Sequence, residues 1–170
     1  MRIIVDDLSH PKVAALLNEH LAGMYASSPA ECVYALDLSA LQAPEITFLT
    51  AWDGDELLGC GAFKLLDAHH AEIKSMRTAA GHLRKGVARQ ILRAIELMAA
   101  KRGVRRLSLE TGTGDAFLAA HRLYLDFGFL DCGPFADYRL DPFSHFMSKP
   151  LPAVHPAPKR HILPFPAAGV

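Results

Sequence analysis

The stretch that most restricts the fold is residues 72–101, in which an alternating segment passes through a short basic loop into a long amphipathic helix. The loop, HLRKGVA, contains Arg84, Lys85 and Gly86. The start of a helix binds anions, because its first backbone N–H groups are free and its dipole is positive there. Gly86 permits close approach to the backbone, since it has no Cβ. The pattern therefore predicts a strand, a phosphate-binding loop and a helix in succession.

Apolar residues recur with two different periods along the chain, and the period separates strands from helices. Helical spacing predicts a first helix around Val13, a second from 86 to 102 and a third that ends at Gly128. The predicted buried face of the second helix consists of Ile91, Leu92, Ile95, Leu97 and Met98. Alternation predicts strands at 2–5, 46–53, 56–65, 70–78 and 104–111, and two more between 129 and 151. Helices that cross between such strands predict an α/β fold with a mixed sheet of six or seven strands.

Length and composition indicate one globular domain. The chain has 170 residues, enough for a proper core, and we predict a single domain at 1–151. Residues 152–170 contain five prolines without periodicity and are predicted to form an extended tail. Eighteen basic residues balance eighteen acidic ones without a basic run, which argues against a nucleic-acid partner.

Further absences narrow the class of protein. No apolar run approaches the ~20 residues of a membrane span, and the N-terminal residues do not resemble a signal peptide. The three cysteines are widely spaced and show no metal-binding pattern. We therefore expect a cytoplasmic protein without a membrane partner and without a metal.

A second motif lies in HRLYLDFGF, where Tyr124 precedes Gly128 by about one helical turn. A tyrosine among leucines and phenylalanines in a helix is usually a core residue, so the motif by itself is not specific. Its position after the glycine loop is more informative. The order of strand, basic glycine loop, helix, strand, helix, tyrosine and Gly-Phe resembles the GNAT family of acetyl-coenzyme A-dependent N-acetyltransferases over residues 45–150.

LSLETG together with GPFADYRLDPFSHFM resembles more closely the YsnE-like branch of that family. The resemblance implies a mostly antiparallel sheet, flanked by helices, whose central strands splay apart. It also implies an acyltransferase that moves an acetyl group from acetyl-CoA to a primary amine by direct attack. The acceptor would be a small molecule, such as an amino acid, or a peptide.

The resemblance further implies how acetyl-CoA is held. The family's pyrophosphate loop falls on Leu83 to Ala88, where Gly86 and Ala88 match the motif and Leu83 replaces the usual Gln or Arg. The backbone of the preceding strand would bind the acetyl carbonyl and the pantetheine arm. The residues implied to bind the cofactor are Ser75, Met76, Arg77, Thr78, Leu83, Arg84, Lys85, Gly86, Val87, Ala88 and Arg89.

The family's LYxxxGF tyrosine matches Tyr124, which implies a general acid that protonates the departing thiolate. Phe117 stands where the family often has an asparagine. A general base would help, because direct attack requires a neutral amine. We rank Glu72 on the central strand first and Glu110 at the end of the next strand second, although charged residues are more often exposed or ion-paired.

Two loops are candidates to line the binding site of the acceptor. The early loop offers Tyr34 or Asp37, and the loop before the last strand offers Tyr138 and Arg139. An acidic residue would suit an amine, whereas Arg139 would suit a carboxylate, and both together would suit an amino acid. Asp141 precedes a proline and favours a turn by itself.

Two other functions fit the same residues. The chain could be a non-catalytic acyl-CoA-binding module, or a nucleotide-binding protein that uses the same glycine loop. The loop lacks both G-x-x-x-x-G-K-[ST] and G-x-G-x-x-G, which argues against the second function. Exposed sheet edges near 130–150 would permit a homodimer.

Overall fold

A computed structural model of the chain describes residues 1–153 and shows one seven-stranded sheet of order β1-β2-β3-β4-β5-β7-β6. All neighbouring strands are antiparallel except β4 and β5, which are parallel. The predicted α/β fold with a mixed, mostly antiparallel sheet is therefore confirmed. From residue 154 onward, the predicted tail lies outside the described residues. The strands are β1 (Arg2–Val5), β2 (Ile46–Asp53), β3 (Glu56–Leu65), β4 (His70–Thr78), β5 (Arg106–Gly112), β6 (Leu130–Asp131) and β7 (Ser144–Pro150).

The helices are α1 (Pro11–Ser27), α2 (Val87–Lys101) and α3 (Leu118–Asp126), and they cover both faces of the sheet. On one face α1 packs against Phe48 and Trp52 of β2. On the other face α2 packs against Leu49 and Ala51, the neighbours of those residues along β2, and Tyr124 of α3 belongs to the same apolar cluster. Alternation along each strand thus gives the sheet two apolar faces, each buried by helices.

The buried face of α2 differs from the prediction at one position. Ile91, Leu92 and Ile95 are fully buried, but Leu97 is 63% exposed. Leu97 follows Ile95 by two residues, which places it on roughly the opposite side of the helix. Met98 packs against the edge of the core as predicted.

Polar side chains replace apolar ones on the α1 face of the central strands. Ile73 and Leu109 belong to the core on the α2 face. Alternation therefore turns Glu72, Lys74 and Glu110 to the α1 face, where a core of apolar side chains would be expected. These charged residues lie next to the point where β4 and β5 part.

The two central strands splay as the family resemblance implied. β4 and β5 pair only from His70–Ile73 with Arg106–Leu109 and then separate. On its other edge β4 bulges, because Cys60 pairs with Arg77 while Ala62 pairs with Lys74. Ser75 in this bulge has a φ of 54°, in the left-handed region. The bulge and the separation together open the sheet at the end of β4.

Candidate active site

A cleft of about 910 Å³ lies where β4 and β5 separate. Residues of α1 and its following loop line it from one face of the sheet, and the start of α2 and residues of α3 line it from the other. The cleft therefore connects both faces through the opening in the sheet. Of the residues predicted to bind the cofactor, its lining contains Ser75, Met76, Arg77, Thr78, Leu83, Arg84, Gly86, Val87, Ala88 and Arg89.

The start of α2 forms the basic end of the cleft. Gly86 is the N-cap, with a φ of 79°, and the first intrahelical bond runs from the Gln90 N–H to the Gly86 carbonyl at 3.1 Å. The N–H groups of residues 87–89 thus have no partner within the helix. A Cβ on Gly86 would meet no atom within 4 Å, and the first turn contains no acidic residue. This space, beside the positive helix end, fits a pyrophosphate group.

Basic side chains at this end differ in how freely they can reach a ligand. Arg84 is exposed and lines the cleft. Arg89 also lines it, but its guanidinium is paired with Asp126 at 2.9 Å. Lys85 is exposed, lies outside the lining and has its Nζ 3.4 Å from His82 Nδ1. A contact between Lys85 and the cofactor stays a prediction.

Two polar atoms in the bulge of β4 lack hydrogen-bond partners within residues 1–153. They are the Ser75 hydroxyl and the Arg77 Nε, both buried. Arg77 uses another nitrogen, Nη2, to bind Glu19 at 2.7 Å. Buried polar groups normally have partners, so the carbonyl and amide groups of a bound acyl-pantetheine arm fit this part of the cleft.

Tyr124 lies on the α2 side of the cleft and is 5% exposed. Its ring packs edge-to-face on Phe129 at 5.6 Å, and its hydroxyl makes no hydrogen bond to the protein within the described residues. Burial raises the pKa of this phenol far above its ordinary value. The hydroxyl therefore stays protonated at neutral pH and can donate a hydrogen bond to a ligand.

Glu72 belongs to a buried network with Lys74 and Tyr138. The Lys74 ammonium donates to Glu72 Oε1 at 2.8 Å and to the Tyr138 hydroxyl oxygen at 2.9 Å. The Tyr138 hydroxyl in turn donates to the same carboxylate oxygen. Burial, followed by the charge of Glu72, raises the pKa of Tyr138 far above its ordinary value. Glu72 is thus engaged by two donors and does not line the cleft.

Glu110 lies one residue beyond the last β4–β5 pair and lines the cleft. Burial raises the pKa of its carboxyl to about 7, while the Ser144 hydroxyl and the charge of Lys74 oppose this shift. A general base works best when its pKa is near the operating pH. The geometry therefore favours Glu110 as the base over Glu72, the reverse of the order expected from the sequence.

The four residues predicted to contact the acceptor have different surroundings. Tyr34 lines the cleft, and its ring contacts Tyr138 edge-to-face at 4.9 Å. Asp37 is exposed outside the lining, and its carboxylate accepts the Ala40 N–H at 2.8 Å in a 3-10 turn. Arg139 is exposed and also lies outside the lining. Direct contacts of Asp37 and Arg139 with an acceptor stay predictions that this arrangement does not support.

Among the cleft residues that the sequence did not single out are His20 and Met24, and it did not predict that Phe117 forms a wall. Burial and the charge of Arg77 lower the pKa of His20 to about 4, which keeps the imidazole neutral. The Phe117 ring occupies the space that a Cβ on Gly112 would need. The glycine at the end of β5 is the sequence signal that an aromatic ring packs against the backbone there.

We expect Glu72→Gln to lower the free energy of unfolding by roughly 3–5 kcal/mol, because it would leave Lys74 buried without its counter-ion. The two side chains are only 5% and 10% exposed. Urea unfolding measures the change. Glu96→Gln is the matched control, since Glu96 pairs with Lys149 at 2.5 Å with side chains 19% and 22% exposed. Equal losses in both variants would contradict a special structural role for Glu72.

Residues 1–153 contain no group of three or more His, Cys, Asp or Glu side chains that could hold a metal ion. In the same part of the chain, none of the helices has the length and apolarity needed to span a bilayer.

The sequence matches the acetyltransferase (GNAT) family over residues 13–129. It is 58% identical over 151 residues to the Bacillus subtilis (strain 168) protein named "Uncharacterized N-acetyltransferase YsnE", covering 89% of this chain and 100% of that one. It is 55% identical over 149 residues to the Escherichia coli (strain K12) protein named "Uncharacterized N-acetyltransferase YedL", covering 88% and 94%.

Solved structures share the fold. A Klebsiella pneumoniae protein assigned as an acyl-CoA N-acyltransferase superposes with a TM-score of 0.72 at 27% identity, covering 88% of this chain and 97% of that one. An aminoglycoside 6'-N-acetyltransferase complexed with coenzyme A superposes with a TM-score of 0.67 at 17% identity, covering 91% and 100%. The chain thus shares its overall fold with these two proteins.

Proposed function

The chain belongs to the acetyltransferase (GNAT) family, and from this membership we propose that it transfers an acetyl group from acetyl-CoA to a primary amine of a small molecule by direct attack. One observation carries the proposal. A single cleft joins the start of α2, with its free N–H groups, to Glu110 and Tyr124 at the opening between β4 and β5. We also propose that residues 1–151 act as one domain, while a cytoplasmic location and a homodimer stay predictions.

The start of α2 would hold the cofactor's pyrophosphate through the N–H groups of residues 87–89, with Arg84 adding charge. The bulged end of β4 would hold the pantetheine arm and the acetyl carbonyl, with the Ser75 hydroxyl as one partner. Donors fixed in place before the reaction lower its barrier because they need no reorganisation. These residues would place the thioester between β4 and β5.

Glu110 would accept a proton from the acceptor, and Tyr124 would donate one to the leaving group. Acetyl-CoA, when bound, supplies the acetyl group as a thioester, whose C–S bond breaks as the amine nitrogen bonds to the acetyl carbon. Glu110 takes the proton that the acceptor ammonium must lose. Tyr124 donates its hydrogen to the departing sulfur, and the second proton, which the nitrogen loses as the amide forms, restores the Tyr124 hydroxyl. The raised pKa keeps the phenol protonated at neutral pH, although it also makes the phenol a weaker acid than an ordinary tyrosine. No residue of the protein becomes acetylated in this scheme.

We expect Tyr124→Phe to lower kcat by about 10²–10⁴-fold while leaving the Kd of acetyl-CoA unchanged. The ring keeps its packing on Phe129, so only the donor to sulfur is lost. Release of coenzyme A thiol measures kcat, and calorimetric titration measures Kd. A non-catalytic acyl-CoA-binding module would show no amine-dependent thiol release in either protein, and an unchanged kcat in the variant would exclude Tyr124 as the donor.

A further inference from the structure

Two loops contact each other beside the α1 side of the cleft, where the acceptor is proposed to enter. Tyr34, from the loop after α1, contacts Tyr138, from the loop before β7, with ring centroids 4.9 Å apart. The Tyr138 hydroxyl is hydrogen-bonded to Glu72 and Lys74, and the Tyr138 ring packs on Phe146 with centroids 5.5 Å apart. A peptide chain would need a groove that stays open along its length. Tyr34 lines the cleft, and its contact with Tyr138 narrows this side, which favours a small molecule over an extended chain.

The pocket offers one carboxyl group for one ammonium group. Among the described lining residues, Glu110 is the only carboxyl. Two cations of the lining are neutralised by their own partners, Lys74 by Glu72 and Arg77 by Glu19. A substrate with several ammonium groups would leave all but one of them without a counter-charge. The charge pattern therefore suits a monoamine and disfavours a polyamine.

The surroundings of Glu110 disfavour an acceptor that carries a carboxylate in addition to its ammonium group. Asp141 has a buried carboxylate oxygen without a partner within residues 1–153, and its charge helps to raise the pKa of Glu110. A carboxylate beside the acceptor amine would add a negative charge next to Glu110, whose pKa is already raised in part by the charge of Asp141 outside the lining. The nearby cation, Lys74, is already paired with Glu72. Like charges at close range raise the free energy of the complex and so exclude such ligands.

The remaining wall on the α1 side consists of His20, whose imidazole is neutral, and of Met24, Tyr34 and Ala35. We propose that the acceptor is a small primary amine with an uncharged, apolar body, and neither an amino acid, a polyamine nor a peptide N terminus. This inference rests on the proposed function and names its substrate class. Glu110 receives the ammonium group, the uncharged wall receives the body, and the Tyr34–Tyr138 contact limits its length.

A matched series of amines tests the proposal on the full-length protein. The probes are phenethylamine, phenylalanine, phenylalanine amide, spermidine and the peptide Phe-Gly-Gly amide, with thiol release as the readout. We expect kcat/KM for phenethylamine to exceed that for phenylalanine at least tenfold. Phenylalanine amide should recover most of the loss, because it removes the carboxylate but keeps a similar size. Spermidine and the peptide should also fall at least tenfold below phenethylamine.

Two variants test how much the charge of Asp141 contributes. Asp141→Asn keeps an oxygen for the Phe143 N–H, which the Asp141 carboxylate accepts at 2.8 Å, and removes only the charge. We expect it to lower the preference for phenethylamine over phenylalanine several-fold. Asp67→Asn is the control, since Asp67 accepts the N–H groups of His69 and His70 in a turn outside the cleft and should leave the ratio unchanged.

The outcomes distinguish this proposal from the proposed function. Turnover of phenylalanine, spermidine or the peptide at or above the rate for phenethylamine would overturn the substrate class while leaving the acetyltransferase intact. A ratio that is the same in wild type and Asp141→Asn would overturn the charge-based explanation. No turnover of any amine by a protein that binds acetyl-CoA would overturn the proposed function itself, and with it this inference.

Discussion

Gly86→Glu should weaken acetyl-CoA binding by roughly 100-fold or more, which corresponds to about 2.8 kcal/mol. The new carboxylate would extend from the helix start into the open space beside Gly86, where the cofactor's pyrophosphate is proposed to lie. It would compete for the same N–H groups and repel the phosphates. Calorimetric titration with acetyl-CoA measures the change in Kd.

Two controls isolate the charge effect. Gly54, in the β2–β3 hairpin, also has a positive φ, 54° against 79° for Gly86, and also faces open space. Gly54→Glu therefore adds the same side chain and a similar backbone strain outside the cleft, and it should leave the Kd unchanged. Gly86→Ala adds strain of about 1–2 kcal/mol without charge and should weaken binding much less than Gly86→Glu. Equal effects of Gly86→Glu and Gly54→Glu would contradict the proposed position of the pyrophosphate at the start of α2.

Glu110→Gln is expected to lower kcat/KM by about 10²–10⁴-fold, the usual contribution of a positioned general base. Because the pKa of Glu110 is about 7, wild-type activity should rise as the pH increases through 7 and the carboxyl ionises. The variant should lack this rise. The ratio of wild-type to variant activity should thus be largest above pH 7 and shrink below it. A pH profile of kcat/KM for both proteins measures this.

Stability provides the control for Glu110→Gln. The folded-state pKa is raised above the ordinary value of 4.5, so the folded state favours the protonated form. The stability contributed by this group is present below pH 4.5 and is lost as the pH rises through 7. At pH 8 the variant should therefore be at least as stable as wild type, unlike Glu72→Gln. A pH dependence that survives in Glu110→Gln would mean that another group is the base.

Local patterns were enough to predict the scaffold. Alternation predicted the strands at 46–53, 56–65 and 70–78 with the bounds that the structure shows, since strand period and turn residues are local properties. Gly86 at the start of α2 was predictable for the same reason. The splay between β4 and β5 followed from the family resemblance, because pairing between strands depends on residues far apart in the chain.

The roles of the charged residues were harder to predict from sequence. Alternation puts Glu72 and Glu110 on the same face of the sheet, so their sequence positions do not separate them. What separates them is Tyr138, which lies 66 residues after Glu72 and binds it from another loop. Asp37 is likewise a predicted substrate contact, but in the structure its carboxylate accepts a hydrogen bond from the Ala40 N–H. Such long-range or capping contacts leave no periodic signal.

Amine-dependent release of coenzyme A thiol, followed with the series of amines at pH 8, is the most direct measurement of acetyl transfer. We predict release well above the rate without amine for at least one amine, with an N-acetylated product of matching amount by mass spectrometry. The release should be lost in Gly86→Glu and strongly reduced in Glu110→Gln. A protein that binds acetyl-CoA but releases no thiol with any amine would contradict the proposed N-acetyltransferase and favour a non-catalytic acyl-CoA-binding module.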